Sequence, residues 1–68
     1  MRQIIISPDE TGGYVAEVPS LPGCISEGET LEETIANIKE AIDLYIDVLK
    51  EDGKPIPDDS LDRMLVVV

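Results

Sequence analysis

The chain has 68 residues, with 15 acidic and five basic side chains and a formal net charge of −10. A chain of this length forms a single domain, residues 1–68, and buries only about 60% of its unfolded surface. The charge excludes direct binding of nucleic acid or of an anionic membrane by this chain alone, because both carry negative phosphates. A basic protein is the partner that such a charge favours.

The residue inventory excludes several kinds of site. The sequence has no histidine and a single cysteine, Cys24, so an intrachain disulfide and a histidine- or thiolate-rich metal centre are ruled out. We expect no cofactor, and we expect Cys24 to be a small packing residue, because no histidine is present to activate its thiol. The short apolar run at the N-terminus is not a signal peptide and no segment has the length of a membrane span, so a cytoplasmic location is expected.

The first two predicted elements are strands joined by a turn. Residues 2–7 contain three consecutive isoleucines, and such a run without alternation predicts a strand covered on both faces. The turn sequence DETGG follows, and residues 14–18 form the second strand, with Tyr14, Ala16 and Val18 on one face. The short spacing predicts an antiparallel hairpin.

Prolines punctuate the connection to a third strand. Pro19 and Pro22 in PSLPG cannot donate hydrogen bonds to a strand ladder, which favours a loop at the edge of the sheet. Gly23 relieves the turn, and residues 24–27 are predicted to form a short edge strand.

A helix over residues 31–51 is the clearest element. Thr30 is a natural N-cap and Glu33 completes a capping box, while Gly53 followed by Pro55 ends the helix. Apolar residues recur at steps of three and four and define one buried stripe; they are Leu31, Ile35, Ile38, Ile42, Tyr45, Ile46 and Leu49.

The C-terminal sequence predicts a fourth strand. KPIPDDS is an extended connector, and RMLVVV is apolar without alternation. A helix between two strands is a crossover, so the last strand is expected to lie parallel to the first. The predicted fold is α+β, in the order β-β-β-α-β, with a sheet order of 3-2-1-4 and one helix on one face.

One helix leaves the other face of this sheet uncovered, although the first and last strands have no polar face. A second copy of the chain would cover it, which predicts a homodimer or tetramer. The residues expected at this interface are Ile5, Leu65, Val66, Val67 and Val68.

The string GYVAEVPSLPGCISEGETLEETIANIKEAIDLYI, residues 13–46, closely resembles the core signature of the HicB family of antitoxins. The resemblance implies a partial ribonuclease-H-like fold with the element order given above. It also implies an antitoxin that binds a small basic RNA-cleaving toxin, HicA, and covers its active site. Family members that act as repressors have a C-terminal DNA-binding segment. The chain stops at Val68 without one, so we expect no operator binding by this chain alone.

The loop and strand over residues 19–27 are the expected toxin-facing surface, with prolines for preorganised apolar contact and acids to complement a basic protein. The residues assigned to it are Tyr14, Glu17, Leu21, Pro22, Glu27 and Glu29. Catalysis by this chain is not expected, because residues 2–7 and 63–68 contain none of the carboxylates that two-metal cleavage requires. The alternative function is a stand-alone oligomeric acidic module, an orphan or sensor domain without a toxin partner.

Overall fold

The computed structural model describes residues 2–59, which form a three-stranded antiparallel sheet with one helix packed on one face. The elements are β1 (Ile5–Pro8), β2 (Tyr14–Glu17), β3 (Ile25–Gly28) and α1 (Leu31–Glu51). The strands lie in the order β1-β2-β3, with β2 in the centre. The predicted α+β class is therefore confirmed.

Read from the opposite edge, the strand order is the 3-2-1 part of the predicted order 3-2-1-4. The predicted fourth strand and the expected interface residues Leu65, Val66, Val67 and Val68 lie outside the described residues. The full order and the ribonuclease-H-like fold, which both include that strand, stay predictions.

The first strand differs from its prediction. It begins at Ile5 and not at residue 2, and it is not covered on both faces within the described part of the chain. Ile4 and Ile6 pack against the core, whereas the side chain of Ile5 is 45% exposed on the other face. The three isoleucines thus follow the ordinary alternation of a strand with one buried face.

The β1–β2 turn depends on two glycines. Gly12 and Gly13 have φ values of 98° and 78°, in the left-handed region that other residues rarely adopt. Their backbone closes the turn around Asp9, whose N–H donates to the Gly13 carbonyl at 3.0 Å and whose carbonyl accepts from the Gly12 N–H at 3.1 Å.

The helix begins at its predicted cap. The hydroxyl of Thr30 accepts a hydrogen bond from the Glu33 N–H at 3.1 Å, which satisfies one of the free donors of the first turn. Glu32 and Glu33 lie in this turn, where the helix dipole favours negative charge, and Lys50 lies in the last turn, where it favours positive charge.

The helix ends in a Schellman motif. The Lys54 N–H donates to the Leu49 carbonyl at 2.9 Å, and the Gly53 N–H donates to the Lys50 carbonyl at 3.2 Å. Gly53 has a φ of 68°, the left-handed conformation that this motif requires. The predicted bounds 31–51 are therefore confirmed at both ends.

The core lies between the sheet and the middle of α1. Its fully or nearly fully buried apolar residues come from β2, the β2–β3 loop and the helix: Ala16, Val18, Leu21, Cys24 and Ile38. The helix stripe contributes Ile42 and Tyr45 at the border of this cluster, whereas Leu31 at the start of the stripe is exposed.

The segment after the helix returns to the first strand. Residues 54–59 have no regular secondary structure, and the Gln3 N–H donates to the Asp59 carboxylate at 3.1 Å. This bond brings the end of the described chain beside the residues that lead into β1. No helix within residues 2–59 has both the length and the apolar composition that a membrane crossing needs.

Candidate protein-binding surface

The sheet face opposite α1, which we name the helix-free face, combines apolar and acidic side chains. The strand register aligns Ile5, Glu17 and Ile25 in one row across the sheet, and Ser7, Val15 and Glu27 in the next row. Successive residues of a strand point to opposite faces, so these six share the face that the buried Ala16 does not.

The helix-free face exposes more apolar surface than an ordinary solvated strand face. Ile25 is 58% exposed and Ile5 is 45% exposed on the two outer strands, while Val15, in the next row on the central strand, is half-buried. Both charged side chains in the two rows, Glu17 and Glu27, are carboxylates in exposed positions. A face on which apolar side chains are interleaved with acids is suited to a protein partner whose contact surface is apolar and basic.

The β2–β3 loop is folded back onto the core. The Leu21 N–H donates to the Val18 carbonyl and the Cys24 N–H donates to the Leu21 carbonyl, both at 3.0 Å. The Val18 N–H closes the loop by donating to the Cys24 carbonyl at 3.1 Å. The helix also holds the loop, because the Tyr45 hydroxyl donates to the Pro22 carbonyl at 2.8 Å.

This fold of the loop corrects one predicted contact. Leu21 has an exposed fraction of 0% and belongs to the core, so the prediction that its side chain contacts a toxin is wrong. Two flanking prolines suggested an exposed apolar tip, but the two turns at Val18 and Leu21 point the side chain inward. Pro22, the next residue, is exposed.

Of the other predicted contacts, four residues lie in three different places. Glu17 and Glu27 lie on the helix-free face with Ile5, which was expected in the oligomer interface. Tyr14 lies on the same side of β2 as Ala16, so it is on the opposite face from Glu17. Glu29 lies after the end of β3, near the start of the helix. The six residues assigned from the sequence therefore do not form one continuous surface.

An acidic depression lies where the hairpin turn approaches the start of α1. Four carboxylates line it, from Asp9, Glu27, Glu29 and Glu33. No group of three or more side chains within residues 2–59 has an arrangement that would hold a metal ion. The depression thus adds negative potential next to the helix-free face, with which it shares Glu27.

Cys24 is placed for packing. Its side chain is buried in the core, and burial raises the pKa of the Cys24 thiol above its ordinary value, although Arg2 offsets part of this effect. A thiol with a raised pKa stays neutral at pH 7, and the neutral form is a poor nucleophile.

Two side chains make hydrogen bonds that the sequence analysis did not predict. Asn37 donates from Nδ2 to the Glu27 carbonyl at 2.8 Å, and Tyr45 binds the β2–β3 loop. Both lie on α1 and reach the β2–β3 loop or β3, so their roles depend on how the helix packs. Val15 and Ile25 could have been found from the sequence, because each alternates with residues of the buried face.

The sequence matches a known protein family and several relatives. Residues 3–65 match the family described as HicB_like antitoxin of bacterial toxin-antitoxin system. A UPF0150 protein of Thermoplasma acidophilum is 48% identical over 63 residues, which cover 93% of this chain and 91% of the relative. A UPF0150 protein of Archaeoglobus fulgidus is 51% identical over 53 residues, covering 75% and 77% of the two chains.

A solved structure also resembles the chain. A chain of the HicA3 and HicB3 toxin-antitoxin complex superposes with a TM-score of 0.75 at 27% identity, and the match covers 91% of this chain and 72% of that one. Because the family match spans most of the sequence, this chain belongs to the family of HicB-like antitoxins of bacterial toxin-antitoxin systems.

Proposed function

We propose that this chain is an antitoxin that binds a small basic RNA-cleaving toxin of the HicA type and blocks its active site. The observation that carries the proposal is the similarity, over 91% of the chain, to a chain of the HicA3 and HicB3 complex. The formal charge of −10 supports it, because oppositely charged partners associate faster and more selectively.

The helix-free face is the proposed centre of the toxin contact. Ile5, Val15 and Ile25 offer apolar area, and removal of such area from water contributes roughly 25 cal/mol per Å² before the costs of association. Glu17 and Glu27 stand within the same two rows, where they would pair with basic side chains of the toxin. Pro22, exposed in the loop that leads to β3, extends the surface beyond the strands.

Charge also disfavours the helix-free face as a contact between two copies of this chain. Such a contact would bring Glu17 and Glu27 of one copy close to the same carboxylates of the other, and like charges brought together in an interface cost several kcal/mol. We therefore assign Ile5 to the toxin contact, although the sequence suggested an oligomer interface for it.

The test first asks whether a small basic protein of toxin length is encoded beside the gene of this chain, and then uses that protein. We expect co-expression of the two to restore growth that the basic protein alone arrests, and the purified chain to stop its cleavage of RNA. Glu17→Lys combined with Glu27→Lys should slow association about tenfold or more at low salt, and should weaken inhibition.

The matched control is Glu40→Lys combined with Asp43→Lys, which makes the same change in net charge on exposed positions of α1. This control should inhibit nearly as well as the original chain. Equal losses from both double variants would mean that only net charge matters and would contradict the proposed surface. A chain that neither binds the neighbouring protein nor restores growth would contradict the antitoxin function and favour the stand-alone module.

A further inference from the structure

Asp52 and Gly53, the two residues that follow α1, form the only aspartate–glycine pair in the sequence. Glycine has no Cβ, so it offers the least hindered backbone N that can follow an aspartate. Such an N can attack the aspartate Cγ, form a C–N bond and release water, which closes a five-membered succinimide ring. This pair is therefore the position at which the main chain reacts most readily with its own side chain.

The reaction ends with a longer main chain. Water adds to one of the two ring carbonyls and breaks its bond to N, which restores the water that ring closure released. Isoaspartate results when the bond that breaks joins the Asp52 backbone carbonyl carbon to the Gly53 N. The chain then passes through Cβ and Cγ of Asp52 and is longer by one methylene group, and the former backbone carbonyl becomes a free carboxylate.

Water reaches both partners of this reaction. Asp52 and Gly53 are exposed. Apart from the chain neighbours of Gly53, no atom within residues 2–59 would stand within 4 Å of a Cβ placed on it. No packed side chain of the described part therefore prevents ring closure, and the barrier lies in the backbone.

Two terminal hydrogen bonds hold this backbone in a geometry that is unsuited to ring closure. Asp52 has a ψ of −4°, which places the Gly53 N beside the Asp52 N and away from the Asp52 Cβ. The Gly53 N–H donates to the Lys50 carbonyl at 3.2 Å, and the Lys54 N–H donates to the Leu49 carbonyl at 2.9 Å. Rotation of ψ toward the ring geometry breaks both bonds, so the reaction must wait until the last turn of α1 opens.

Helix ends open more often than helix interiors, which distinguishes Asp52 from the aspartates within α1. Asp43 and Asp47 lie inside the helix and are followed by Leu44 and Val48. Rotation of ψ at these positions breaks helical bonds on both sides, and the side chain of the next residue hinders its N. The two aspartates are therefore controls within the same chain.

We propose that Asp52 is a site of spontaneous conversion to isoaspartate, and that opening of the last turn of α1 controls the rate. The added methylene group shifts Gly53 and Lys54, so that their N–H groups no longer reach the carbonyls that end the helix. The connector over residues 54–59 then begins at an open helix end. The proposal is independent of the proposed function, because the helix-free face contains none of these residues.

The test is incubation of the full chain at neutral pH and physiological temperature over several weeks. Enzymatic methylation of isoaspartate measures the amount formed, and fragmentation mass spectrometry assigns its position. We expect isoaspartate to form at Asp52 about tenfold faster or more than at Asp43 or Asp47. Asp52→Glu should abolish the reaction, because closure of a ring with one more methylene group is slow. Asp52→Asn should accelerate it, because an amide loses ammonia more readily than a carboxylate loses water.

Unfolding separates the control by the helix from the chemistry of the pair. In guanidinium chloride the rates at Asp43 and Asp47 should rise by a larger factor than the rate at Asp52, because the helix interior opens less often in the folded chain. The purified isoaspartate chain should keep its helix content, and its amide exchange at Gly53 and Lys54 should be faster than in the original chain. Equal rates at the three aspartates of the folded chain would overturn the proposal. So would an isoaspartate chain whose exchange at Gly53 and Lys54 is unchanged.

Discussion

Gly28 at the end of β3 lies directly against Thr34 in the first turns of α1. A Cβ placed on Gly28 would stand 2.7 Å from both the backbone N and the Oγ1 of Thr34. The glycine is required here by space and not by its backbone angle, which is not in the left-handed region. This close approach fixes how the helix start sits on the sheet.

Gly28→Ala is expected to destabilise the fold by about 1–3 kcal/mol, because the helix backbone must move away from β3 to admit a methyl group. Urea denaturation measures the loss. Ser7→Ala, at an exposed strand position, should change the free energy of unfolding by no more than about 0.5 kcal/mol. If Gly28→Ala is as stable as Ser7→Ala, the close packing of helix and strand is wrong.

Tyr45→Phe should cost about 0.5–1.5 kcal/mol, since it removes the hydrogen bond to the Pro22 carbonyl and changes little else. Hydrogen exchange should show faster opening of the β2–β3 loop in this variant. Tyr14→Phe is the matched control, because within residues 2–59 the Tyr14 hydroxyl has no hydrogen-bond partner. Equal effects of the two variants would show that the Tyr45 bond does not hold the loop.

Leu21→Ala should lower the free energy of unfolding by about 2–5 kcal/mol, the range for truncating a fully buried leucine. Pro22→Ala, one residue later and exposed, should cost much less. Thermal unfolding followed by circular dichroism distinguishes them. A Leu21→Ala variant that keeps the original thermal unfolding midpoint but inhibits the toxin less well would contradict this prediction. It would mean that Leu21 contacts the toxin directly, although its side chain is buried in the isolated chain.

The helix bounds were predicted correctly and the position of Leu21 was not, and this difference shows which features the sequence could predict. The helix bounds follow from local signals: a cap at Thr30, an apolar stripe and a glycine that accepts a left-handed angle. The position of Leu21 depends on two loop turns and on the surface that β2 and α1 offer, which no local pattern encodes. The separation of Tyr14 from Glu17 was predictable from strand alternation, but the grouping of toxin contacts by proximity in the sequence ignored it.

Stability should depend on pH through Cys24. Burial raises the pKa of this thiol in the folded chain above its ordinary value of 9.0. Above that pH the unfolded chain loses the proton first, so the folded state binds more protons and the free energy of unfolding falls as pH rises. The stabilisation is complete below the ordinary pKa and is lost as pH rises through the folded value.

Cys24→Ala removes this titration. We therefore expect the stability difference between the original chain and Cys24→Ala to be larger at pH 7 than at pH 10, with both measured by urea denaturation. Comparison of the two chains cancels the titration of tyrosines and lysines that they share. A difference that does not change with pH would show that the thiol is not desolvated by the core.

The isolated chain should not bind DNA with useful affinity. Each phosphate contact requires a basic side chain, and release of several counterions requires several of them on one face. The described cations are spread over the molecule: Arg2 is bonded to Ser20, Lys39 lies in the middle of α1, and Lys50 and Lys54 lie near its end.

A mobility-shift titration at low salt, with DNA from upstream of its own gene, is the most permissive measurement. Glu40→Lys combined with Asp43→Lys groups three cations on one side of the helix, because position 43 is a helical neighbour of both Lys39 and position 40, so weak non-specific binding should appear first in that variant. A sequence-selective shift by the original chain would contradict the prediction, and would require that assembly of several copies gathers cations that the single chain keeps apart.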